Sequence, residues 1–154
     1  MSEQAPSPRD WLYWLRIAAA ILGAAGVGFA IHVLYGRGWA NDYVQHAADT
    51  GRLAGALREP YPQYVVVTAF VLALLPTAGK VVAYMLLRGS LPGKTRLTKG
   101  LWFGLLVMFM GDTLIRLPLM NAIIGNPLDV VFVQGLEGWL IGPLVGVVIA
   151  LLVP

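Results

Sequence analysis

The sequence predicts an all-α integral membrane fold: a bundle of four transmembrane helices with a short interfacial helix in the first loop. Three observations carry this. Hydrophobic residues make up 58% of the chain and charged residues only 12%. A water-soluble domain has about 25% charged residues, so this chain has too few to cover a water-facing surface. Its apolar residues gather into runs near 11–35, 62–88, 98–124 and 127–153, each long enough for the ~20 residues of a membrane-crossing helix. Aromatic, proline and basic residues bound the runs, as at a membrane interface. The 154 residues suit one membrane domain over 11–154 behind a Ser- and Pro-containing tail, 1–10.

The net charge of +3 does not indicate a nucleic-acid partner, because the basic residues cluster at helix ends, where topology explains them. The chain has no cysteine, which excludes disulfides, thiolate nucleophiles and thiolate metal sites.

The first run opens on Trp11, Tyr13 and Trp14 beside Arg16, an aromatic anchor. The run is longer than the ~7–15 residues of a signal-peptide core, so a span is preferred to a cleaved leader. Ala20, Ala24 and Gly28 recur every fourth residue, a small-residue stripe that permits close helix approach. His32 continues that stripe and is expected to face protein. In the polar connection 36–61, Asn41 and Asp42 can cap a helix. Trp39, Tyr43 and Ala47 give that helix an apolar face, and Gly51 and Gly55 weaken it.

Pro60 and Pro62 precede the second run, Pro76 is expected to kink it, and Lys80 follows one turn later. Gly100 and Gly104 begin a stripe in the third run that continues through Met108 to Asp112 and Arg116. Before the fourth run, Asn126 reads as a helix cap with Pro127 in the first position and Asp129 in the first turn. Gly138, Gly142, Gly146 and Ala150 then form a second small-residue ridge, a candidate contact with a second copy of the chain or a larger membrane partner.

With four spans, Arg9, Arg16, Arg88, Lys94, Arg96 and Lys99 fall on one side of the bilayer, and Arg37, Arg52 and Arg58 on the other, with Asp42, Asp49 and Glu59. The positive-inside rule then puts both termini in the cytoplasm, across a plasma or bacterial inner membrane.

Ionisable groups at membrane depth are costly and mark partners or pathways. Asp112 falls near the centre of the third span. By the helical rise, Arg116 lies ~6 Å and Glu137 ~4–5 Å toward the outer face. An Asp112–Arg116–Glu137 network is therefore expected, because an Arg fork can bridge two carboxylates. Gln134, on the Glu137 face, can supply a further hydrogen bond, and Lys80 and His32 complete the candidate polar residues.

Catalytic readings lack parts. Gly111-Asp112 resembles the glycine–aspartate pair of intramembrane aspartyl proteases, but those use a second aspartate on another span, and here the only other span acid is Glu137. Metal-ligand spacing is absent, and His32 with a loop-borne His46 makes a poor haem pair. The expectation is a non-enzymatic protein without cofactor or metal. It is read as a small transporter or channel-like protein for an ion or polar solute, with a pathway along a subunit interface. The alternative is an accessory or assembly subunit whose charge network is structural.

Overall fold

The computed structural model describes residues 11–53, 63–111, 116–123 and 125–154. The tail 1–10, Gly55, Arg58, Glu59 and Asp112 lie outside the described residues, as does the side chain of Arg116. The fold is all-helical: α1 (Trp11–Gly36), α2 (Trp39–Asp49), α3 (Gln63–Leu87), α4 (Arg96–Met110), α5 (Arg116–Ile123) and α6 (Leu128–Leu152). Among the described residues, three helices are long and apolar enough to cross a membrane, over Trp11–Tyr35, Phe70–Leu87 and Leu128–Leu152.

The third apolar run departs from the expected single helix over 98–124. It is divided into α4, which ends at Gly111 with extended backbone (φ −92°, ψ 170°), and α5. At 1.5 Å per residue the 15 residues of α4 extend only about 22 Å, short of a ~30 Å hydrocarbon core. The start of α4 is set by reciprocal capping. Thr95 Oγ1 accepts from the Thr98 amide at 3.1 Å, and Thr98 Oγ1 accepts from the Thr95 amide at 3.2 Å.

Two other helix starts differ from expectation. The chain enters α2 at Gly38, without a side-chain cap, so Asn41 and Asp42 lie inside the helix. Its buried face is Ala40 and Ala47, seven residues apart, whereas Trp39 and Tyr43 are exposed. The helix ends as one piece before Gly51, whose positive φ of 68° favours glycine. Pro127, with φ −59° and ψ 142°, is the N-cap of α6, and Asn126 instead donates through Nδ2 to Asn121 Oδ1 at 3.1 Å. The α3 helix is continuous through Pro76, where Thr77 Oγ1 donates to the Ala73 carbonyl at 2.7 Å.

Helix α6 is the hub. A methyl built on Gly23 would lie 3.1 Å from Leu152, and one on Gly28 would lie 3.6 Å from Val145, so α1 runs antiparallel to α6. Its closest partner is α4. A methyl on Gly100 would stand 2.7 Å from Val147 Cα, one on Gly104 2.6 Å from Pro143 Cα, and one on Gly146 2.6 Å from the Gly104 amide. Only glycine allows such backbone contact. Gly142 and Gly146 thus face α4 of the same chain, which removes them as a subunit-interface pathway; Gly138 is half-buried.

Ala20, Ala24, Val81, Tyr84, Phe103, Val145, Ile149, Ala150 and Val153 form the core. These residues lie in the halves of α1, α3, α4 and α6 nearest the α3–α4 turn, so the helices converge at that end. There Tyr84 and Phe103 pack edge to face, with ring centroids 5.2 Å apart.

Candidate functional site

Two polar features stand out against this apolar frame. The first joins α1, α2 and α6 at the end remote from the α3–α4 turn. His32 Nδ1 lies 2.5 Å from Glu137 Oε1, one span helix to another. The His32 side chain is 66% exposed and that of Glu137 25% exposed, so His32 reaches its partner from an open position and not from the protein-facing one expected. One turn on, the Tyr35 hydroxyl donates to the Val133 carbonyl. One turn further, Asp129 Oδ2 accepts from Tyr43 Oη at 2.5 Å and from Arg52 Nη2 at 2.8 Å, which ties α2 and the following loop to the start of α6. Both bonds raise the affinity of their donors for the proton. The hydrogen bond to Asp129 pushes the Tyr43 hydroxyl and the Arg52 guanidinium up from their ordinary values.

The expected Asp112–Arg116–Glu137 network cannot be traced through the described residues. Within them Glu137 has His32 as its partner. Gln134 does not supply the expected hydrogen bond: its Oε1 is buried without a partner, as is the nearby Trp139 Nε1. Tyr35, Tyr43, Arg52 and Asp129 were missed as site residues. The signal for them was helical spacing: Asp129, Val133 and Glu137 are four apart on α6, and Tyr35 follows His32 by three on α1. Among the described residues no group of three or more His, Cys, Asp or Glu side chains could hold a metal ion.

The second feature is a groove between α3 and α4. The two helices touch at Tyr84 and Phe103 and diverge beyond, leaving a volume of about 370 Å³ lined mainly by apolar residues that include Pro76, Ala83, Leu87, Leu106, Val107 and Met110. Lys80 is half-buried there and, among the described residues, is the only charged one in the lining. It also borders a water-sized void of about 20 Å³ against Gly104 and Gly142. No hydrogen bond or ion pair engages it among the described residues.

The α3–α4 turn at the groove's end carries Arg88, Lys94, Arg96 and Lys99 without an acidic residue. Arg88 donates to the Pro154 carbonyl, Arg96 Nη1 to the Leu151 carbonyl at 3.4 Å, and Lys99 Nζ to the Arg88 carbonyl at 2.8 Å. Cations thus meet the carbonyl end of α6, the favourable sense for its dipole. The acceptors of Arg96 and Lys99 are neutral peptide carbonyls, so these two side chains keep their positive charge.

No protein-family model, no characterised protein and no solved structure matches the chain.

Proposed function

We propose that this all-helical membrane protein is a small non-enzymatic transporter or channel-like protein, in which Glu137 takes up and releases a proton or binds a cation beside His32. The observation that carries the reading is the 2.5 Å approach of His32 Nδ1 to Glu137 Oε1, a titratable pair between two candidate spans. Glu137 stands nine residues into α6 from Leu128, about 13–14 Å along the helix axis. Carboxylates at such depth are characteristic of ion pathways and proton relays. Both side chains are partly exposed at the surface of the bundle. The proposed orientation is termini inward, in a plasma or inner membrane, with the α2 end outward.

The test is proton and monovalent-cation flux in liposomes containing the purified full-length protein. The parent should dissipate an imposed pH gradient faster than protein-free liposomes, and Glu137→Gln, with its melting temperature preserved, should not. A parent no faster than protein-free liposomes removes the transport reading. The second reading is an accessory or assembly subunit, alone or self-associated. It is favoured by how little of each span window the chain covers itself, 17%, 17% and 28%. A faster-than-background parent in which Glu137→Gln transports normally would leave transport but remove Glu137 from it.

A further inference from the structure

We propose that the groove between α3 and α4 is a binding site for an anionic phospholipid of the surrounding bilayer. A hydrocarbon chain would lie along the groove and the phosphate would meet Lys80 and the basic turn. The groove is open on one side and runs from Leu87 and Phe103 to Pro76 and Gly111. The eleven helical steps from Pro76 to Leu87 give it a length of about 16 Å. A volume of about 370 Å³ over that length corresponds to a mean cross-section of about 23 Å². A helix 10–12 Å in diameter needs about 80–110 Å². The groove is narrower than a helix, and its apolar lining is complementary to extended hydrocarbon.

Lys80 supplies the selectivity. It lies seven residues before the end of α3, about 10 Å below that end. A lysine at such depth extends its ammonium toward the interface while its methylenes stay in apolar surroundings. The groove ends where Arg88, Lys94, Arg96 and Lys99 concentrate four positive charges. A basic cluster next to a span attracts anionic headgroups, and here the deeper ammonium adds a further positive charge, which favours a headgroup of net negative charge over a zwitterionic one. The site lies on α3 and α4, separate from the His32–Glu137 pair, so it stands or falls independently of the transport reading.

The test is native mass spectrometry of the full-length protein released from mixed micelles of equal phosphatidylglycerol and phosphatidylcholine, with melting temperature measured in parallel. The parent should retain phosphatidylglycerol preferentially and melt higher with it. Lys80→Met should lower that preference about fivefold, the effect of one cation at a lipid surface. A Cβ at Gly79 meets nothing within 4 Å, so Gly79→Leu should project into the groove, keep the fold and reduce retention of both lipids. Equal retention of the two lipids by the parent overturns the proposal. So does unchanged preference in a folded Lys80→Met, or unchanged retention in Gly79→Leu. If Lys80→Met does not fold, the Gly79→Leu retention result decides. Cross-linking of a Gly79→Cys variant to another protein chain in native membranes also overturns it.

Discussion

Gly100 and Gly146 meet backbone to backbone. A methyl built on Gly100 would lie 2.8 Å from the Gly146 carbonyl oxygen, and one built on Gly146 would fall against the carbonyl oxygen of Gly100. Neither backbone can yield without parting α4 from α6. Gly146→Ala should therefore cost about 1–3 kcal/mol, the range for overpacking a close-packed site. Gly142→Ala should cost less, because its methyl meets the flexible Met108 side chain. Gly26→Ala, with nothing within 4 Å, should cost nothing. Thermal melting of the three purified variants checks the order; equal effects at Gly26 and Gly146 would contradict the packing described.

For the His32–Glu137 pair, a double-mutant cycle with His32→Gln and Glu137→Gln should give a small coupling. The pair is partly exposed, and exposed polar pairs of this kind are worth about 0.2–1 kcal/mol. A coupling several times larger would identify the pair as a structural clamp, with little freedom for Glu137 to exchange a proton.

The docking of α2 should depend on pH at the alkaline end. Tyr43 is neutral when it donates to Asp129, and that bond raises its folded-state value above the ordinary 10.0. Its contribution is thus fully present below pH 10, and is lost as pH rises through the higher folded-state value. Alkaline titration of tyrosinate absorbance, compared with Tyr43→Phe, should show one late-titrating tyrosine missing from the variant. In Asp129→Asn, Trp39 fluorescence should report α2 loosening already at neutral pH. If the tyrosine missing from Tyr43→Phe titrates at the ordinary value and not late, the Asp129 bond is ruled out.

Orientation can be read by labelling, because the chain has no native cysteine. Lys94→Cys in the α3–α4 turn should react with a membrane-impermeant maleimide only after permeabilisation. Thr50→Cys, just after α2, should react in intact cells. The reverse pattern inverts the proposed topology.

The helices at 11–36, 63–87 and 128–152 were legible because long apolar runs bounded by aromatic and turn residues leave little choice in a bilayer, and that at 39–49 because apolar residues recur every fourth position in a polar stretch. The interruption at Gly111 was not legible. Apolar residues continue on both sides of it, and hydropathy carries no signal for a glycine in extended backbone. Depth counting placed Glu137 within a candidate span, but several side chains share a level, so it did not single out His32 as a neighbour. That contact depends on α1 lying directly along α6, as Gly28 against Val145 and Ile141 requires. Lys80 was visible as a buried charge. The groove around it was not, because the divergence of α3 from α4 is a tertiary property that neither helix encodes alone.

The glycine contact between α4 and α6 also has a consequence in time. Helix α4 leaves the ribosome before the helix it is packed against. Until α6 arrives, a segment of about 22 Å carrying Arg96 and Lys99 at its start has no partner for its Gly100–Gly104 surface. Insertion of α6 is then the step that fixes α4 in place. A nascent chain halted before Gly142 would hold α4 in a conformation that has yet to be fixed, open to membrane quality-control proteases.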